Sequence, residues 1–228
     1  MDVEPPQQPI HSVKDFLLHL LTITVGLLIA LALEAGVQYL HHRSLVRDAQ
    51  HNLTQEISAN RAQYEINARW IQENRERLEH DTEQLRAMRA GKSSVPASLS
   101  WYWQWNSFSG IAWRTAHDSG AVSYMDPKHI ASYSWIYLQQ EYINSTALQI
   151  VGEETKAGAG LVAANDPANL SATEIQTLLQ KTAEINLSLQ TLQTTMKSLE
   201  EMYGQELGGG TDPWTSDNEI TTAKWCRS

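Results

Sequence analysis

His117-Asp118-Ser119 holds the three residue types of an acyl-transfer triad. Such a triad moves a proton from serine to histidine and needs a carboxylate behind the ring, with all three side chains in line. Neighbours on one backbone cannot line up that way, so the run reads as a helix end before Gly120. His41-His42 offers two imidazoles, but adjacent residues on a helix point about 100° apart and cannot share a metal. With Arg43 and Arg47 they read as lipid headgroup contacts. Gly158-Ala159-Gly160 lacks the strand and the remaining glycines of a phosphate loop. No metal-ligand spacing occurs. The sequence therefore predicts no catalytic residue, no metal ligand and no cofactor. Asn-x-Ser/Thr triplets at Asn52, Asn144, Asn169 and Asn186 matter only in a host that glycosylates.

Two sets of residues remain. Trp101, Tyr102, Trp103, Trp105, Phe108 and Trp113 crowd into one short stretch. Aromatic clusters can stack sugars or hold an apolar ligand. The plainer reading is that Trp103, Trp105 and Trp113 plug the open end of a helical bundle. The second set is Asn60, Asn67 and Asn74, spaced by seven and followed in the same row by Asp81 and Met88. They lie three residues after Ile57, Tyr64, Ile71, Leu78 and Leu85 respectively. An amide row on a helical seam costs stability but fixes register and partner number. It is expected at the wetter edge of the bundle. Trp101, Trp103, Trp105, Trp113, Asn60, Asn67 and Asn74 thus form the candidate ligand or partner surface.

The elements that position these residues follow from periodicity. Phe16 to Leu33 is free of charge, and the apolar run to Leu40 extends about 37 Å as a helix. A bilayer core is about 30 Å thick, so residues 16–40 are predicted to span it. Thr22 and Thr24 can return their hydroxyls to helix carbonyls. Tyr39, His41, His42 and Arg43 sit at interfacial depth. A cleaved signal would need a basic start, whereas MDVEPPQQPIHSVKD sets Lys14 against Asp2, Glu4 and Asp15. The uncleaved anchor is the favoured reading. Residues 1–15 form an expected disordered leader.

Beyond the span, helix formers run from Ser44 to about Ala90, with Arg61, Glu65, Arg69, Glu73 and Arg77 at i,i+4 spacing. A loop over 91–100 precedes a short helix at 111–118, with Gly120 as its left-handed cap. Asp126-Pro127 starts a helix predicted over 127–156. AGAGLVAANDPANLS reads as a linker. Ser171-x-x-Glu174 is a capping box for a helix over 172–206. That helix carries the clearest heptads: Ile175, Thr182, Leu189, Met196 and Tyr203 in one row, with Leu178, Ile185, Leu192 and Leu199 in the other. The residues from 208 to 228 read as a loose tail. Helices 1, 3 and 4 are expected to pack antiparallel.

Composition narrows the partners. A net charge of −9, with no basic run, excludes a phosphate-binding face and so argues against nucleic acid. A mean hydropathy of −0.39 excludes a multi-span protein. Cys226 is the single cysteine, so no internal disulfide can form.

The order TVGLLIALALE, a charged helix, then AWRTAHDSGAVSYMDPKHIASYSWIYLQQEY carries a W-x-x-A-x-x-SG-x-V pattern. Over roughly Phe16 to Tyr142 this resembles a group of bacterial single-span membrane proteins of unknown function. The resemblance implies a bitopic protein with a helical domain and assigns no activity.

The expected fold is all-α: one N-terminal transmembrane helix continuing into an elongated helical bundle over 41–207. The expected role is a membrane-anchored interaction or scaffold protein without catalytic activity. Its expected partners are the lipid bilayer and either a second copy or another membrane protein. The C-terminal heptads and the Asn row are expected to make the contacts. The expected place is the bacterial inner (cytoplasmic) membrane, with the soluble domain periplasmic. The rival reading is a ligand-binding sensor with the tryptophans as pocket.

Overall fold

The computed structural model describes residues 13–92, 99–100, 104–164 and 166–208. Among them the fold is all-α: α1 (Val13–Arg89), α2 (Ile111–Asp118), α3 (Pro127–Ala164) and α4 (Ala172–Gly208). Short 3-10 turns occupy Ala121–Tyr124 and Pro167–Asn169. Contacts divide the chain into two units, Met1–Asp48 and Ala49–Ser228.

From Phe16 to Leu33 α1 carries no charge and is apolar on every side. Large apolar side chains from Phe16 to Leu40 are all exposed. The hydroxyls of Thr22 and Thr24 donate to the carbonyls of Leu18 and Leu20 at 2.9 and 2.8 Å, which removes two polar groups from that surface. This stretch is long and apolar enough to cross a membrane, and none of it is buried.

The second unit is built on seven-residue spacing. Every residue of the two predicted rows of α4, from Ile175 to Tyr203, is buried. They meet Tyr133, Ile136, Ile143, Ala147 and Ile150 of α3 and Leu53, Ile57, Ile71, Leu78 and Leu85 of α1 as the core. Leu189 and Leu192 are therefore inside the chain and unavailable to a partner, contrary to the expectation that the C-terminal heptads make intermolecular contacts.

The helix directions depart from the antiparallel arrangement expected. Gln50 pairs with His129, Asn60 with Gln140 and Asn74 with Glu154, so position along α1 and α3 rises together. These two helices are parallel. Arg61 pairs with Glu200, Arg75 with Asn186 and Arg89 with Gln176, so α4 runs against α1. A parallel pair cannot be joined by a tight turn. The chain must travel back along α1 before α3 begins, and among the described residues 99–100 and 104–126 lie on that return.

Helix ends follow local chemistry. Asp126 accepts the Lys128 N–H at 2.8 Å, with Pro127 as the first helical residue of α3. Ser171 and Glu174 cap α4 reciprocally: each side chain accepts the other's N–H, at 3.3 and 2.8 Å. Gly120 has φ 75°, the left-handed conformation that turns the chain out of α2. The expected linker is the main difference. α3 continues through AGAGLVAA to Ala164, because Ala157 is buried beside Leu85, Leu170, Ile175 and Leu178, with Leu161 and Ala164 packed on that cluster. Packing there outweighs the helix-weakening glycines.

Leu189→Ala is expected to cost about 2–5 kcal/mol in urea unfolding of the full chain, because it empties a fully buried site. Leu187→Ala, two residues away but exposed, is expected to stay within about 0.5 kcal/mol.

Candidate functional site

The return segment lies between α1 and α3, held by asparagines. Asn67 donates to the Asn106 carbonyl at 2.9 Å and accepts the Asn106 N–H at 3.4 Å. Asn60 does the same for Ser109 at 2.8 and 2.9 Å. From α3, Asn144 does so for Phe108 at 3.0 and 2.9 Å. A primary amide carries one donor face and one acceptor face, like a peptide group. Each asparagine therefore closes a two-bond ring on one residue's backbone. This stands in for the ladder that a neighbouring strand would supply, and it answers the requirement that buried backbone groups be paired.

Asn60 has a second hydrogen, which reaches Gln140 Oε1 at 3.3 Å. Gln140 Nε2 in turn donates to Tyr203 Oη at 2.9 Å. One buried polar layer thus ties α1, α3 and α4 into a single register. Burial holds the Tyr203 phenol well above its ordinary pKa.

Glu56 organises the end of the segment. Gly110, which precedes α2, has no side chain to cap it. Glu56 reaches across from α1 and accepts the N–H groups of Ile111 and Ala112 at 2.9 and 3.0 Å. The Ser109 hydroxyl and the Tyr137 phenol also donate to it, the latter at 2.8 Å. A carboxylate at a helix N-terminus gains from the helix dipole as well as from these bonds. Burial, then the hydrogen bond to Glu56, raises the Tyr137 pKa. Tyr133, buried near Glu206, is pushed up to about 12.

The tryptophans are structural where they are described. Trp105 donates to Asn144 Oδ1 at 3.3 Å and packs edge-on against Phe108. Phe108 is buried edge-on against Tyr203. Trp113 stacks on Tyr137, with centroids 5.5 Å apart and planes 6° from parallel. Both tryptophans pack along the flank of α3 rather than plugging an open end, because the return segment that carries them lies in that groove. Trp101 and Trp103 lie outside the described residues. The triad letters resolve as a helix end: the His117 ring meets Trp113 edge-on at 4.5 Å, and Ser119 Oγ donates to the Ala116 carbonyl.

Further along the same groove lies a charged cluster. Glu154 accepts from Asn74 and from Arg77, the latter at 3.0 Å, and Arg77 also donates to Asn74. Asp81 accepts the Ser100 N–H at 3.3 Å. Asp81 and Glu154 are almost completely buried. Burial pushes both carboxyls above their ordinary range, and Arg77 and the hydrogen bonds offset only part of that.

The amide row is thus inside the fold and not at a wet edge: Asn60, Asn67 and Asn74 are all buried. The physical reason is the parallel α1–α3 pair, whose return segment needs backbone partners. Glu56 escapes the periodicity reading of α1, and Asn144 and Glu154 escape that of α3. Gln140 and Glu154, which break the apolar heptads of α3 fourteen residues apart, are the signal that could reveal the polar layers. The arrangement binds backbone and side chains of its own chain. Among the described residues no three of His, Cys, Asp and Glu converge as metal ligands. No family model, curated protein or solved structure matches the chain.

Asn67→Ala is expected to cost about 1–3 kcal/mol by leaving the Asn106 backbone unpaired. Faster amide exchange at Asn106 should accompany it. The raised carboxyls give a second test. Stability contributed by a raised pKa is fully present below the ordinary carboxylate value and is lost as pH rises through the raised one. Between neutrality and about pH 4.5, acidification should therefore stabilise the wild type relative to Glu154→Gln in urea unfolding. An unchanged gap would show that Glu154 does not titrate there.

Proposed function

We propose that this chain is a single-pass, membrane-anchored helical interaction module that carries out no catalysis. The observation behind this reading is the uncovered apolar surface of α1 from Phe16 to Leu40, for which lipid is the natural solvent. The buried polar groups of the second unit support the non-catalytic part. Asn60, Asn67, Asn144 and Glu56 are committed to the chain's own backbone. The rival sensor reading loses ground because Trp105 and Trp113 are packed against Phe108 and Tyr137.

The assignment to the bacterial inner membrane rests on the resemblance of TVGLLIALALE and the AWRTAHDSGAV pattern to bacterial single-span proteins. A retained, signal-like apolar span favours a periplasmic second unit.

Alkaline carbonate extraction of membranes from an expressing bacterium should leave the full chain in the pellet. An alkaline phosphatase fusion at the C-terminus should be active. Release of the chain at high pH, or a mature polypeptide beginning at Leu33, would overturn the anchor. An inactive phosphatase fusion with an intact anchor would reverse the side.

A further inference from the structure

Two buried carboxyls meet one guanidinium in the groove between α1 and α3. Glu154 accepts from Asn74 at one oxygen and from Arg77 at the other, the latter at 3.0 Å. Asp81 lies one turn beyond Arg77 on α1, and its Oδ2 accepts the Ser100 N–H at 3.3 Å. Asp81 and Glu154 are 1% and 2% exposed, so bulk water solvates neither. Asp81 Oδ1 is buried too and accepts no hydrogen bond among the described residues. The His80 ring stands at its edge, largely exposed, with Nδ1 3.6 Å from Oδ1.

The charges here do not balance. On α1, Arg77 is a cation at every pH, whereas His80 is one only when protonated. On α3, Glu153 beside Glu154 pairs with Lys156 and Lys181. On α4, Lys181 is engaged by Glu153 and Glu184, and buried Thr182 returns its hydroxyl to the Leu178 carbonyl. The return segment adds no charge, since residues 93–103 contain no Asp, Glu, His, Lys or Arg. Two carboxylates against one guanidinium would leave a negative charge in the groove. Burying that charge costs far more than burying the neutral acid.

We propose that Asp81 binds the proton that neutralises this cluster, so that the folded groove holds a neutral Asp81 acid beside a Glu154–Arg77 ion pair. The donors decide the division. Both oxygens of Glu154 are met, one by an amide and one by a guanidinium, which favours the carboxylate. Asp81 has one backbone N–H and one orphan oxygen, so its carboxylate is the worse stabilised. Burial raises both carboxyls, and Asp81 keeps its proton to the higher pH. The exposed His80 ring beside Oδ1 is placed to pass that proton to solvent. Asp81 also holds Ser100, so the return segment is clamped most firmly on the acid side. A raised carboxyl contributes stability that is fully present below its ordinary value and is lost as pH rises through the raised one.

The test is a carbon NMR titration of the full chain in mild detergent, with labelled aspartate and glutamate carboxyls. The Asp81 carboxyl signal, assigned by its loss in Asp81→Asn, should titrate well above the ordinary aspartate value of about 3.9. Arg77 already acts on Asp81 electrostatically. Glu154→Gln removes the carboxylate that competes for it and should lower the Asp81 midpoint by about 1–3 pH units. In urea unfolding the wild type should lose stability as pH rises through the Asp81 midpoint. Asp81→Asn keeps the shape, cannot ionise, and should show no such loss. An Asp81 signal that titrates at or below the ordinary value overturns the inference. So does a wild type in which Glu154 keeps its proton to higher pH than Asp81. An Asp81 midpoint unmoved by Glu154→Gln, with helical circular dichroism unchanged, overturns it as well. Should either variant lose its helical signal, the order of the two wild-type titrations decides.

Discussion

Parallel packing of α1 on α3 sets the terms for the second unit. Two helices that point the same way leave the chain at the wrong end, and the connection must run back through the groove between them. A peptide segment in that position brings N–H and C=O groups into a place with few water partners. The fold resolves this with side-chain amides, because asparagine alone among short side chains presents a donor and an acceptor at peptide-like spacing. Asn60, Asn67 and Asn144 are therefore consequences of topology. So is Glu56, which caps a helix that has no cap of its own.

The polar groups in the groove also define the order in which the core is layered. Apolar contacts between heptad rows would tolerate a slip of one repeat at modest cost. The Asn60–Gln140–Tyr203 layer would not, since a slip would leave three buried polar side chains unpaired. The Asn74–Arg77–Glu154 cluster imposes a second such constraint further along. Two fixed layers in one bundle leave a single register for three helices.

Much of the fold was readable from sequence, for identifiable reasons. The α4 rows follow an unbroken seven-residue pattern, and every member is buried. Gly120 and the Ser171–Glu174 box are local signals with local outcomes. Helix direction was not readable. Periodicity reports which face of a helix is buried but not which way its neighbour points, and that information resides in pairs about eighty residues apart, such as Asn60 with Gln140. The Asn row was therefore visible as a pattern but misplaced as an edge. The AGAGLVAA stretch was misread because its composition resembles a linker, whereas Ala157 packs against Leu85 and Leu178. The tryptophans were conspicuous, yet their roles depend on Asn144 and Tyr137, which nothing in their own neighbourhood reveals.

The remote capping of α2 by Glu56 bears on the order of events during synthesis. α2 has eight residues, too few to persist alone in water. Its start is stabilised by a carboxylate fifty-five residues upstream, and the phenol that shares that carboxylate lies eighty-one residues from it. A ribosome would thus release α1 long before the residues that complete this knot exist. During that interval the part of α1 beyond Asp48 carries its asparagine row beside the apolar row of Leu53, Ile57, Ile71, Leu78 and Leu85, so its seam is half polar until the second half is made.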